Sequence, residues 1–188
     1  MSRWKWGYLA VVLALAAPAA SMGASRQELS AKSNTQTFNQ TSYMKANELL
    51  TQVKEHAWAI ETSIGSLDQR ARYADADWKI EDNTLNDVKE QVNAMGRDIR
   101  SIEEIRAHCM SWQQQELDRI LPIAKQLADD TSNAIRVFNA NVTHEWSTAL
   151  PKDLAMMRKK AVEVRKSVEK SMEVAKLKKE IAGLEQGA

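Results

Sequence analysis

The sequence predicts an all-α protein, and the preferred architecture is an antiparallel four-helix bundle with coiled-coil-like heptad packing. Apolar residues recur at alternating spacings of three and four, which is a helical and not a strand period. The 188 residues include only 6 Gly and 3 Pro, too few turn residues for a sandwich or barrel of short strands. Polar breaks divide the periodic region into predicted helices near 43–70, 77–108, 112–146 and 151–182.

The first 24 residues have the three regions of a secretory signal peptide. Arg3 and Lys5 precede the apolar run 8–17, and small residues follow it up to residue 24. We expect cleavage between residues 19 and 24, and therefore a periplasmic or secreted protein. An uncleaved membrane anchor is the alternative, although the apolar run is shorter than the roughly 17 to 25 residues of a spanning helix.

Residues 25–42 are rich in Ser, Thr, Asn and Gln, and predict a flexible polar segment before the helical domain at 43–183. An apolar seam then begins at Ala46 and keeps one heptad register as far as Cys109, broken only by Glu81 and Arg106. Its members are Ala46, Leu50, Val53, Ala57, Ile60, Ile64, Leu67, Ala71, Ala74, Trp78, Leu85, Val88, Val92, Met95, Ile99, Ile102 and Cys109.

The turn between the first two helices cannot be placed from this pattern. Neither Gly nor Pro occurs between Gly65 and Gly96, and short polar side chains make 68–77 or 82–84 the best positions. Without a turn, one helix of roughly 100 Å would run from about residue 44 to 109. That alternative predicts an elongated coiled-coil hairpin or oligomer instead of a bundle.

The third helix is expected to start a new register. Beyond Cys109 the old register reaches Gln113 and Glu116, whose polarity predicts a slip of the seam, and Ser111-x-x-Gln114 has the spacing of a capping box. The new seam consists of Leu117, Ile120, Ala124, Leu127, Thr131, Ile135, Phe138, Val142 and Trp146.

The fourth helix is expected to open at Pro151 and Asp153, which suit a first helical turn. Its seam is Leu154, Met157, Ala161, Val164, Val168, Met172 and Ala175. We expect the helix to end near Gly183 and to leave a short tail at 184–188.

Charge is divided unevenly along the chain. Residues 25–151 hold 14 basic and 19 acidic side chains, a net charge of −5, whereas residues 152–188 hold 10 and 6, a net charge of +4. The preferred interpretation is that a basic last helix docks against an acidic body. The alternative is a peripheral contact with an anionic lipid or polysaccharide of the cell envelope. Its candidate residues are Arg158, Lys159, Lys160, Arg165 and Lys166.

Motifs for catalysis and cofactor binding are missing from the sequence. It has no Gly-x-Ser-x-Gly elbow, no His-Glu-x-x-His and no phosphate-binding Gly-x-x-x-x-Gly-Lys. The single Cys excludes a disulfide scaffold, a Cys-based zinc site and covalently attached haem. We therefore predict a protein that is not an enzyme and has no cofactor.

Contact with another protein is the function that these features favour: an exported scaffold, adaptor or envelope-associated binding protein, with a protein partner or self-association and no nucleic acid. The alternative is a bundle that binds haem, a metal, or an anionic lipid or polysaccharide. Trp58, beside the first seam, and Trp112, at the register change, are the candidate partner contacts. Cys109 is expected to pack as a small apolar residue, with an intermolecular disulfide as its alternative role.

Overall fold

The computed structural model describes residues 39–70, 78–140 and 149–185, with the side chains of residues 78, 149 and 185 left out. These ranges contain the helices α1 (Gln40–Arg70), α2 (Trp78–Glu104), α3 (Ser111–Ala140) and α4 (Ala149–Glu185), and a 3-10 turn at Arg106–His108. All of them lie in the unit Thr35–Ala188. The predicted signal peptide and residues 25–38 lie outside the described ranges.

The four helices close into a bundle. α1 packs against α2 and α4, and α3 packs against the same two helices, so each helix has two main neighbours. The prediction of an all-α four-helix bundle is confirmed. The alternative of one helix from about 44 to 109 is wrong, because α1 ends at Arg70 and α2 begins at Trp78. The break coincides with the first predicted turn position, 68–77, most of which lies outside the described residues.

Polar contacts between α3 and α4 run in opposite order along the two helices. Such an order is expected of neighbouring antiparallel helices. The pairs are Glu116 with Ser171, Arg119 with Ser167, Asp130 with Lys160, and Asn133 with Asp153.

The buried core follows the predicted seams closely. Every apolar seam position of α1, and those of α2 from Leu85 to Ile102, is buried. In α3, Ala134 is buried in place of the predicted Ile135, which is half-buried. Thr131, Ala134 and Phe138 keep the spacing of three and four, so the buried face of α3 remains continuous.

The segment predicted to be flexible, residues 25–42, overlaps the start of α1. α1 begins at Gln40, inside the segment predicted to be flexible up to residue 42. The side-chain oxygen of Asn39 accepts hydrogen bonds from the backbone N–H groups of Thr41 (3.0 Å) and Ser42 (3.5 Å). Asn39 therefore acts as the N-cap of α1, and the polar residues after it form the first helical turn.

The connection between α2 and α3 also departs from the prediction. α2 ends at Glu104, short of the predicted residue 108, because the chain tightens into the 3-10 turn. α3 starts at Ser111, but the predicted capping box is not formed. The Gln114 amide instead donates to the backbone oxygens of Arg106 (2.9 Å) and Cys109 (3.0 Å), which fastens the turn to the start of α3.

Two polar residues lie in the core where the sequence predicted that the seam would leave it. Gln113 and Glu116 are both buried, so the expectation that these positions fall off the buried face is wrong. The Gln113 amide and the Oε2 atom of Glu116 find partners inside the bundle, which helps a polar side chain to stay buried.

The end of α4 lies further along the chain than predicted. The helix continues through Gly183 to Glu185. No glycine among the described residues has a positive φ, so Gly183 does not form the left-handed cap that would end a helix. The predicted tail at 184–188 is therefore wrong for residues 184 and 185.

Candidate functional site: a groove at one end of the bundle

An open groove of about 980 Å³ lies at one end of the bundle, and we call it the end groove. The first turn of α1, the first three turns of α3 and the last part of α4 form its walls. Tyr43, Trp112 and Val174 supply apolar and aromatic surface, while Glu116 and Arg119 supply charge. A mixed aromatic and polar surface of this kind is typical of ligand and partner sites.

Gln113 holds the wall formed by α1 and α3 in place. Its side-chain nitrogen donates to the backbone oxygen of Tyr43 (3.1 Å) and to the side-chain oxygen of Asn47 (3.0 Å). Its side-chain oxygen accepts from the backbone N–H of Met110 (2.9 Å). One buried amide thus joins the start of α1 to the turn before α3.

Arg106 fastens the same turn from outside. Its guanidinium donates to both carboxylate oxygens of Asp118, at 2.7 and 2.8 Å, and to Glu103 at 3.1 Å. The two contacts to Asp118 come from the same Nη2 nitrogen, and charge-assisted hydrogen bonds of this kind are stronger than neutral ones. Although Arg106 lies at a position of the predicted apolar seam, its side chain is half-buried and pairs with Asp118 at the surface.

Glu116 is the buried acidic group of the end groove, with 1% of its side chain exposed. Its Oε2 atom accepts hydrogen bonds from Arg119 on the same helix (3.0 Å) and from Ser171 (2.5 Å), and the second of these links α3 to α4. Its Oε1 atom is also buried and accepts no hydrogen bond from the described residues. A carboxylate oxygen that is buried without a partner costs free energy.

Sequence reasoning missed Glu116 as a site residue. The signal was present, because Glu116 falls seven residues after Cys109 and so continues the first heptad register. Its polarity was interpreted as a register slip instead. Only the partners on α4 show that a carboxylate at this position can be accommodated.

Basic side chains surround the opening. Lys170, Lys178 and Lys179 on α4 and Arg119 on α3 line the groove and are exposed. Glu116 is the single acidic side chain among the described lining residues. The rim therefore favours acidic groups.

The structure separates the two predicted partner-contact tryptophans. Trp112 is half-buried, packs against the core and lines the end groove. Trp58 is 61% exposed on α1 and does not line that groove. It follows Tyr43 by fifteen residues, or about 22 Å of helix at 1.5 Å per residue.

The five predicted anionic-surface residues do not form one patch. Lys160 pairs with Asp130 at 2.5 Å, and Arg165 pairs with Glu61 at 2.9 Å, so both are turned to neighbouring helices. These pairs agree with the interpretation that the basic helix docks against acidic helices.

The other three, Arg158, Lys159 and Lys166, are exposed. Arg158 and Lys159 line a smaller groove, of about 660 Å³, between α1 and α4. The same groove contains the carboxylates of Glu61 and Asp68, which would repel an anionic ligand.

Cys109 is buried, and its thiol lies 3.4 Å from the backbone oxygen of Ile105. Burial raises the pKa of the Cys109 thiol above its ordinary value, although the positive charge of Arg106 opposes this. This environment suits the predicted apolar packing. The intermolecular disulfide stays a prediction.

We expect Cys109 to react with a thiol reagent at pH 8 at least about tenfold more slowly in the folded protein than in urea. The reason is that the thiolate is the reactive form, and that burial disfavours the thiolate and blocks access. The rate of maleimide labelling, followed by mass spectrometry, measures this. Equal rates in buffer and urea would contradict the buried position.

Another polar cluster joins α1 to α2. The His56 ring lies 2.7 Å from the side-chain oxygen of Gln91 and 3.2 Å from a carboxylate oxygen of Asp98. Burial raises the pKa of the Asp98 carboxyl, while the nearby charges of His56 and Arg97 lower it. We interpret this cluster as a cross-link between the two helices, because it lines neither groove.

Neither a metal site nor a membrane-spanning helix is found among the described residues. The described residues bring together no group of three or more His, Cys, Asp or Glu side chains that would hold a metal ion. None of the described helices has an apolar stretch long enough to cross a membrane.

Comparison with protein-family models, with curated proteins and with solved structures finds no match, so the end groove is interpreted from its own geometry.

Proposed function

We propose that this protein is an exported, non-enzymatic helical bundle that acts by binding another protein in the end groove, as a scaffold, adaptor or envelope-associated binding protein. The observation that carries the proposal is the placement of Trp112 in an open groove with a basic rim. Export rests on the sequence of residues 1–24 alone.

The lining of the groove defines the chemistry of the partner. Trp112 and Val174 offer apolar contact, and tryptophan is among the residues that most often anchor protein interfaces. The rim of Lys170, Lys178 and Arg119 suits acidic side chains. A protein segment with an apolar anchor flanked by acidic residues fits both features.

An anionic lipid is the second candidate ligand. An apolar groove with a basic rim favours a fatty chain with an anionic head group. Glu116 argues against a lipid, because its carboxylate lies in the wall against which an apolar fatty chain would pack. The protein partner is therefore the preferred occupant.

Site-specific photo-crosslinking in the producing cells tests the proposal. Gln115 lies exposed at the groove, and Glu90 lies exposed on α2 away from it, so a photoreactive residue at each position forms a matched pair. We expect a discrete protein adduct from position 115 and none from position 90. The same adduct from both positions, or none from position 115, would contradict a protein partner in the groove.

Two groove variants are expected to weaken the adduct. Trp112→Ala should reduce partner affinity by about 2 kcal/mol, or roughly thirtyfold, if Trp112 is an interface anchor. Because Trp112 also contacts the core, the exposed pair Lys178→Glu and Lys179→Glu provides a second test that leaves packing intact. Circular dichroism should show unchanged helicity for the double charge reversal. If this variant instead loses binding to phosphatidylglycerol vesicles while the protein adduct persists, the lipid is the ligand.

A further inference from the structure

The last part of α4 carries an apolar stripe that the bundle does not cover. Its members recur at spacings of three and four residues, and their exposed fractions rise toward the end of the helix. We call them the C-terminal stripe: Val174 (41%), Leu177 (50%), Ile181 (56%) and Leu184 (75%).

The C-terminal stripe is out of phase with the buried face of the same helix. Val168 is the last fully buried seam residue, and Leu177 follows it by nine residues, or about two and a half helical turns. Leu177 therefore faces away from the core. Met172 and Ala175, which keep the phase of the buried face, are half-buried instead. Because the stripe and the buried face lie on opposite sides of α4, packing within the bundle cannot cover the stripe.

We propose that a second copy of this chain covers the C-terminal stripe, in a short parallel two-stranded coiled coil of two α4 ends. Val174 and Ile181 take the a positions of a heptad, and Leu177 and Leu184 take the d positions. β-branched residues at a together with leucine at d favour two parallel strands. This contact goes beyond the proposed function, because Leu177, Ile181 and Leu184 do not line the end groove; Val174, at the edge of the groove, is the stripe residue that the two contacts share.

The outward direction of the stripe also makes room for the second copy. In a parallel pair each bundle lies behind its own α4, so the two bundles are on opposite sides of the paired helices. Lys166 and Lys170 continue the same face of α4 toward the bundle, and both are exposed. Like charges on facing helices repel each other, so pairing is confined to the stripe.

Charges beside the stripe are compatible with self-pairing. Glu173 takes a g position and Lys178 the following e position, so these two meet across a parallel dimer with opposite charge. The next pair, Glu180 and Glu185, is like-charged, but Glu180 also lies 3.9 Å from Lys176 within its own helix. Hydrophobic contact at a and d therefore provides the main attraction.

The short stripe predicts a weak dimer. Its residues span about 15 Å of helix, and such a contact buries less than the roughly 1,000 Å² of a stable interface. The helices are already ordered by the bundle, which removes the cost of helix formation on pairing. We therefore expect monomers in dilute solution and dimers at high concentration.

Sedimentation at rising concentrations tests the pairing. The mass of the wild-type protein should rise toward twice that of one chain, whereas the Leu177→Lys, Ile181→Lys variant should stay monomeric. Met156→Lys, an exposed apolar residue on the same helix, is the matched control and should dimerise like the wild type. A wild type that stays monomeric throughout, or a double variant that still dimerises, would overturn the proposal.

Disulfide trapping tests the orientation. In a Cys109→Ser background, Leu177→Cys should form a disulfide dimer on oxidation, because identical d positions meet only in a parallel pair. Lys179→Cys, on the opposite side of the heptad, should remain unlinked. Equal linking of both variants, or a dimer that Leu177→Cys does not trap, would refute the parallel arrangement. Trp112→Ala should leave this dimer unchanged, so a failure of the groove proposal is separable from a failure of this one.

Discussion

Met157→Ala is expected to lower the free energy of unfolding by about 2–5 kcal/mol, the range for large-to-alanine changes in protein cores. Met157 is 0% exposed on the seam of α4 and packs in the apolar core between helices. Removing its side chain leaves a cavity, and the packed helices around it can close only part of that space. Urea unfolding followed by circular dichroism measures the loss.

The neighbouring residue provides the control. Met156 is 37% exposed on the same helix, so Met156→Ala should cost at most about 0.5 kcal/mol, as is usual for surface changes. The two variants remove the same side chain from adjacent positions, so their difference reports burial alone. Equal losses would show that the buried face of α4 is placed wrongly.

Gln113→Leu is expected to lower the free energy of unfolding by about 2–4 kcal/mol, since each buried group left without a hydrogen bond costs about 1–3 kcal/mol. The Gln113 side chain satisfies the backbone oxygen of Tyr43, the side chain of Asn47 and the backbone N–H of Met110. Leucine has a similar size but no polar atoms. Denaturant unfolding again provides the measurement.

Gln113→Leu distinguishes the effect expected from the Gln113 hydrogen bonds from the effect expected from heptad pattern alone. By heptad pattern alone, a leucine at a buried seam position should stabilise the bundle. Gln126→Leu, at an exposed position of the same helix, is the control and should change stability by less than about 0.5 kcal/mol. A Gln113→Leu protein more stable than the wild type would show that the amide network contributes nothing.

The two proposed contacts place different demands on the end of α4. Lys178 faces the end groove, while Leu177 and Ile181 belong to the C-terminal stripe. One helix segment would thus hold a partner on one side and a second copy on the adjoining side, with Val174 at the boundary between them. Binding of a bivalent partner would then be strengthened by dimerisation, because two grooves are held at a fixed separation.

Local pattern was sufficient to predict the helices and most of the core. The spacing of apolar residues identified the buried positions of α1 and α2 because a helix repeats its faces every 3.6 residues, whatever it packs against. Pro151 marked the first turn of α4 because its missing N–H has no partner at a helix start. The position of Trp112 at the register change predicts a contact residue, and Trp112 lines the end groove.

Tertiary contacts decided the features that the pattern misjudged. Whether Gln113 and Glu116 stay in the core depends on partners far along the chain, Tyr43 and Ser171, which no local spacing reveals. The same holds for Lys160 and Arg165, whose charges are matched on neighbouring helices. The sequence by itself determined the helical class and the buried seams, because helical period is a local property. Only the packed bundle decided which polar groups are satisfied and which apolar face remains uncovered, because both depend on residues brought together from separate helices.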